Sequence, residues 1–270
     1  MILMVVALPS EAKPLCKRYG LKLRCERPFK VFENERIALI QSGVGVESSA
    51  TAVGYLGALF GNDTRNAWFN IGIAGHRDLK VGSLVMAHKV SRNGDDRNWF
   101  PDFTTKPPFS TVEVVSFSKT VDNFTNDYVC DMESAGFMAA TEKLSPPHLT
   151  HIIKIISDNE KSGVSLIDRK FVSTLLMQSL EEIDLAINCV REHCYDATAG
   201  EIFTAQELIE KNWRFTVTQS QQLAREMRRL SNLTDSKGLE LKNFNKCRSA
   251  QEVIKAIREM ADTNAPGLDL

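Results

Sequence analysis

The sequence predicts a three-layer α/β sandwich around a central mixed sheet, followed by a helical C-terminal extension. Three observations carry that expectation. Short apolar runs recur through the first two thirds of the 270 residues, as expected for strands buried on both faces. Helical patterns alternate with these runs, the order of an α/β protein. Near Tyr195 the texture changes to short amphipathic helices rich in charge. A boundary drawn there separates residues 1–194 from residues 195–270.

Ile2 to Leu8 is a continuous apolar run and reads as a buried strand. Pro9-Ser10-Glu11-Ala12 starts a helix that reaches about Tyr19. Val31-Phe32 and Arg36 to Ile40 form a hairpin around Glu33-Asn34-Glu35. Gly43-Val44-Gly45 opens a small-residue helix, Ser48 to Phe60, able to pack closely against a sheet. Ala67 to Ile71 is a strand that ends in the loop Gly72-Ile73-Ala74-Gly75, and Leu84 to Ala87 is another. Arg92 to Pro108 reads as a long loop carrying Trp99, Phe100 and Phe103, and Val112 to Phe117 is a strand.

A helix from Glu133 to Lys143 has Asp131 as its N-cap, and the dipole of its first turn favours Glu133. Ile152 to Ile156 is β-branched and reads as a strand closed by Ser157-Asp158-Asn159. Ser165 to Cys194 reads as one long helix, with Ser165 and Asp168 at capping-box spacing. In the extension the predicted helices are Thr204 to Lys211, Gln219 to Leu230 and Ser249 to Met260. The last opens on the capping box of Ser249 and Glu252.

Composition narrows the function classes. The apolar share is 43%, the charged share 25% and the net charge −1, values of an ordinary globular protein. Nothing in that balance favours a nucleic-acid or membrane surface. No run has the length of a bilayer span. Six cysteines without CxxC spacing read as reduced, mostly buried thiols in a cytoplasmic protein. The five histidines show no ligand spacing, so no metal is expected. Gly43-x-Gly45 lacks the third glycine and the downstream acid of a dinucleotide fingerprint.

The polar and glycine-rich stretches share one kind of position. Glu11, Gly43 to Gly45, Gly72 to Gly75 and Asp158 each lie just past a predicted strand. That is the edge where open α/β sheets bind ligands. Together they bring two carboxylates and two backbone-donor loops to one crevice, with Glu133 beside them. Glu133 follows Val129-Cys130-Asp131-Met132, where acids sit among apolar neighbours.

Read in order, these motifs resemble the nucleoside phosphorylase/nucleosidase superfamily, including methylthioadenosine/S-adenosylhomocysteine nucleosidases and hopanoid-associated phosphorylases. The residues that carry it are Ala7-Leu8-Pro9-Ser10-Glu11-Ala12, Ser42-Gly43-Val44-Gly45, Asn70 to Gly75 with Leu79 to Gly82, Asp131-Met132-Glu133-Ser134, and Ile156-Ser157-Asp158. They span residues 1 to about 194. The resemblance implies cleavage of the bond between a purine-type base and ribose, through an oxocarbenium-like transition state. It implies that Asp158 protonates the leaving base, oriented by Ser157, while Glu133 holds the ribose hydroxyls above an apolar floor of Met132. Glu11 then activates water on the opposite face of the sugar. Gly43, Val44, Ile73, Ala74 and Gly75 complete the expected substrate-binding set. Ile73 and Lys154 depart from the family's usual serine or threonine and arginine.

The expected reaction is hydrolysis of a small-molecule nucleoside, without cofactor and without nucleic acid or membrane as partner. One alternative is a phosphorylase with phosphate as co-substrate, held by Ser42, Gly43 and Gly75. Another is a nucleoside-binding protein that has lost turnover. The resemblance also implies a homodimer or higher homo-oligomer. The base pocket is expected to be closed by Trp99, Phe100 or Phe103, or by the extension. Apolar stripes on the extension (Leu208 and Ile209; Leu223, Met227 and Leu230; Val253, Ile257 and Met260) must be covered by the same chain or by a partner.

Overall fold

The structure, a computed structural model, describes residues 1–60, 66–121, 124, 127–161, 168–194, 209–233, 244–245 and 247–263. It divides into two compact units, Met1–Cys194 and Tyr195–Leu270. In the first unit β1 (Ile2–Val6) leads into α1 (Pro9–Tyr19), and β2 (Lys22–Cys25), β3 (Lys30–Glu33) and β4 (Ile37–Gln41) follow. Next come α2 (Val46–Phe60), β5 (Ala67–Gly75), β6 (Leu84–Arg92), β7 (Asn98–Trp99), β8 (Thr111–Ser116) and β9 (Val129–Asp131). The unit ends with α3 (Ser134–Thr141), β10 (Thr150–Asp158), α4 (Arg169–Gln178) and α5 (Leu180–Cys194).

The fold is a mixed α/β structure around a central sheet. β1 lies between β4 and β5, parallel to both. β5 is parallel to β10 on its other side, and β10 is antiparallel to β6. β6 pairs with β8 and β8 with β9, both in parallel, and β9 returns to β5 at Gly75 opposite Cys130. Five strands therefore close a ring through β5, while β1, β4, β3 and β2 extend from it as an open wing. The carboxyl ends of β1, β4, β5 and β10 share one edge.

The continuous apolar runs have a simple cause. Alternate residues of a strand face opposite sides, and both sides of this sheet are covered. Ile2, Met4 and Val6 join one core with Leu15 of α1, Leu176 of α4 and Ile183 of α5. Leu3 and Val5 join the other with Leu56 of α2 and Phe137 of α3. The tightest use of a small residue is between helices. A Cβ on Gly136 would lie 1.9 Å from the Val46 carbonyl oxygen, so α3 packs directly on the start of α2.

Several predicted boundaries move. Gly72 to Gly75 is strand, not loop, because Gly72, Ile73 and Ala74 pair with Lys154, Ile155 and Ile156. The predicted loop from Arg92 contains β7, where Trp99 pairs with Val90. The long helix breaks at Ser179 (φ −95°, ψ 1°), where the Ser179 hydroxyl donates to the Leu175 carbonyl at 2.9 Å. Such side-chain bonds compete with the helical ladder. Asp168 itself caps α4 by accepting from the Phe171 amide at 2.7 Å, and Ser165 lies outside the described residues. Of the cysteines, Cys130 is buried, whereas Cys16, Cys25, Cys189 and Cys247 are half-buried and free, against the expectation of mostly buried thiols.

In the second unit, α6 (Val217–Leu233) and α7 (Ala250–Thr263) bury a core of their own. Leu223, Met227 and Leu230 meet Val253, Ile254 and Ile257, with Ile209 and Phe244. The predicted apolar stripes are thus covered within this unit, except that Leu208 lies outside the described residues. Ser249 caps α7 as expected, accepting from the Glu252 amide at 3.3 Å. The Glu252 carboxylate reaches back to the Arg248 amide instead of that of Ser249. Thr216 and Gln219 form a further capping pair, which starts α6 earlier than predicted. Residues 204–208 of the predicted first helix lie outside the described residues.

Candidate active site

Glu11 is fixed by the turn from β1 into α1. Pro9 occupies the first helical turn, where its missing N–H costs nothing. The chain then folds so that the Ala7 and Leu8 amides donate to Glu11 Oε2 at 2.9 and 2.8 Å. The Ile73 amide donates to Oε1 at 3.0 Å. A Cβ on Gly72 would stand 2.9 Å from that oxygen, so β5 approaches the carboxyl group only with glycine there. Burial pushes the Glu11 carboxyl above its ordinary pKa, against the three amides and the Lys154 charge. With both oxygens accepting N–H groups, the cradle fits the ionised form.

At the end of β9, Asp131 and Glu133 diverge. The predicted cap, Asp131, does accept from the Ser134 amide at 2.9 Å, but its main partners lie behind the cleft wall. Lys154 Nζ approaches Asp131 Oδ2 to 2.7 Å, and the Ser116 and Ser134 hydroxyls donate at 2.5 and 2.6 Å. Burial opposes its charge, yet Lys154 and the hydroxyls more than offset this and leave its pKa lowered. Glu133 instead accepts from the Gly45 amide at 3.1 Å. Gly45 adopts φ +111°, a conformation that side chains rarely take. Burial first, then the charge of Asp131, push the Glu133 carboxyl up to about 7, against the pull of Lys154 and the Gly45 amide.

Asp158 ends β10. A bulge between Ile156 and Asp158 shifts the register against β5, a device that re-aims a side chain at a strand end. Ser157 Oγ donates to Asp158 Oδ1 at 2.5 Å. The His76 amide donates to the Asp158 carbonyl at 3.1 Å. A Cβ on Gly75 would fall 2.5 Å from the Phe124 ring and 2.8 Å from Asp158 Oδ2, so only glycine lets the acid, the ring and β5 meet.

These groups line one cleft of about 150 Å³. Glu11, Met132, Glu133, Ser157 and Asp158 all face it, as do Val44, Ile73, Ala74 and Gly75. Gly43 does not line it, and its amide donates to the Ala7 carbonyl at 3.1 Å. The Ser42 amide is likewise engaged, by the Val6 carbonyl at 2.8 Å. None of the three aromatic residues expected to close the pocket lines the cleft. Trp99 is buried and donates to Glu142 at 3.0 Å, Phe103 packs near His151, and Phe100 is exposed. Phe124 lines the cleft in their place, with Lys119, Thr120 and Val121 beside it. A lone aromatic outside any apolar run carries no periodic signal in the sequence, so Phe124 was not legible.

Among the described residues no group of three or more His, Cys, Asp or Glu side chains is arranged to hold a metal. No helix among them is long and apolar enough to cross a membrane.

The fold is shared with solved structures that align over nearly all of their own length. A 5′-methylthioadenosine/S-adenosylhomocysteine nucleosidase from Helicobacter pylori, solved with butyl-thio-DADMe-Immucillin-A, matches with a TM-score of 0.57 at 15% identity, covering 69% of this chain and 97% of its own. The corresponding enzyme from S. pneumoniae, with a transition-state inhibitor, gives 0.55 at 18% identity, covering 67% and 95%. Futalosine hydrolase of Helicobacter pylori gives 0.57 at 13% identity, covering 69% and 97%. No protein-family model and no curated protein matches the sequence.

Proposed function

We propose that residues 1–194 form a nucleosidase that hydrolyses the N-glycosidic bond of a purine-type nucleoside. The observation that carries this reading is the convergence of Glu11, Glu133 and Asp158 on one otherwise largely apolar cleft. Cleaving a glycosidic bond needs an acid for the leaving group and a base for water, set on opposite faces of the sugar. Asp158, oriented by the Ser157 hydroxyl that donates to Oδ1, faces the cleft as the acid that protonates the base nitrogen. Glu133 accepts from the ribose hydroxyls, and Met132 lines the cleft beside the sugar. Glu11 takes a proton from water as the water oxygen bonds to the anomeric carbon. The carbon–nitrogen bond breaks, the base departs with the proton from Asp158, and the products are free base and free ribose.

Water as the acceptor is supported by the fate of the backbone donors. A phosphate slot at this sheet edge would need unused N–H groups. Those of Ala7 and Leu8 are turned onto Glu11, and those of Ser42 and Gly43 onto carbonyls. A fixed carboxylate in that place repels an anion. The similar solved proteins, named as nucleosidases and a hydrolase, agree with this reading. The homo-oligomeric state implied by the sequence resemblance is part of the same proposal. A panel of purine nucleosides varied at the base and at the 5′ position, in phosphate-free buffer, tests it. Release of free base from at least one member is expected. Binding without cleavage across the panel would assign the chain to the inactive binders instead.

A further inference from the structure

The reaction above leaves unused the most deeply buried cation among the described residues of the first unit. Lys154 sits mid-strand on β10, 1% exposed, opposite Gly72 of β5. It does not line the cleft. A buried ammonium group is tolerated only when its partners are complete. Its Nζ meets Asp131 Oδ2 at 2.7 Å and Asn70 Oδ1 at 2.8 Å. Asn70 is itself anchored, donating from Nδ2 to the Val5 carbonyl at 3.1 Å. Asp131 is tied in turn to Ser116 of β8 and Ser134 of α3. One cation thereby joins β1, β5, β8, β9, β10 and the first residue of α3.

That clamp adjoins both carboxylates on which the proposed reaction relies. Glu133 is two residues from Asp131 on the clamped turn. The strand partner of Lys154, Gly72, is the residue against which Glu11 Oε1 rests. The Lys154 charge attracts all three buried carboxylates, and Asp131 makes the direct contact. We propose that Lys154 is a positioning residue for the cleft: clamped by Asp131 and Asn70, it fixes the 131–134 turn and supplies a positive field that offsets part of the cost of burying charge on Glu11 and Glu133. Its importance for catalysis rests on the nucleosidase reading, while its electrostatic action does not.

The field is read on Glu133 without substrate. The groups facing that carboxyl are Asp131 from β9, Lys154 from β10, Glu11 from α1 and the Gly45 amide ahead of α2. In protein labelled with ¹³C at the glutamate carboxyls, the Glu133 resonance is assigned by its loss in Glu133→Gln, and its midpoint is followed with pH. Removing the cation in Lys154→Met raises that midpoint by at least about one unit, a tenfold change in proton affinity. Removing the neighbouring anion in Asp131→Asn lowers it. A purely structural role predicts no such opposition of sign. Midpoints that stay at the wild-type value in both variants overturn the proposal. If Lys154→Met does not fold, Asp131→Asn decides alone, and an unshifted midpoint there is enough to reject it. Should wild-type protein cleave no nucleoside, these titrations keep their meaning, so the two readings fail separately.

Discussion

Asp131 and Glu133 lie two residues apart, are both buried and both line the cleft, yet their carboxyl groups meet opposite surroundings. Asp131 collects an ammonium group, two hydroxyls and an amide. Glu133 has one amide from Gly45 and the repulsion of its neighbours. The first carboxylate is complete and holds strands together. The second has acceptor capacity left over, and a ligand with two adjacent hydroxyls is what would use it. Burial alone therefore does not mark a functional acid. What separates these two acids is the acceptor capacity that Glu133 retains among the described residues.

That contrast can be broken in graded ways. The largest effect is expected in the cleft, at Asp158. Asp158→Asn keeps the shape and loses the proton, and removing a general acid costs about 10²–10⁴ in rate. Steady-state kcat should fall by that factor while the circular dichroism spectrum and the unfolding midpoint stay near wild type. At Asp131 the pattern reverses. Asp131→Ala strands the Lys154 charge, and breaking a buried pair costs about 3–5 kcal/mol. Denaturant unfolding should show that loss even where residual activity survives.

Glu133 should show a stability change of the opposite sign. Its folded pKa, about 7, lies above the ordinary 4.5, so the fold favours the neutral form. No penalty exists below the ordinary value. It grows as pH rises from there to about 7, and is complete above. Glu133→Gln removes that penalty and still accepts from Gly45. The variant should match wild type near pH 4.5 and exceed it at pH 8 by about 2–3 kcal/mol. Its ribose-dependent activity should fall at the same time. Equal stability of the two proteins at pH 8 would place Glu133 among complete carboxylates like Asp131.

How far the sequence shows this contrast depends on the range of the interactions. The ends of β1 and β10 were legible because an apolar run gives way at once to Pro9-Ser10-Glu11 or Ser157-Asp158. The predicted acids Glu11, Glu133 and Asp158 do reach one cleft. Gly72 to Gly75 misread as loop because glycine signals breaks locally, whereas here it yields space to Glu11, Phe124 and Asp158 inside a paired strand. The break at Ser179 was hidden because amphipathic periodicity continues across it. The Lys154–Asp131 clamp joins residues on separate strands, and nothing in either local pattern announces the partner. Phe124 belongs to no periodic apolar run in the sequence, so nothing local announces it.

The central claim is that the fixed carboxylate of Glu11 commits this sheet edge to water. It is tested most directly by titrating phosphate against a cleaved purine nucleoside and identifying the sugar product. A rate already complete without phosphate, with free ribose as the sugar, is the predicted result. A rate that rises from zero with phosphate and yields ribose 1-phosphate would contradict it.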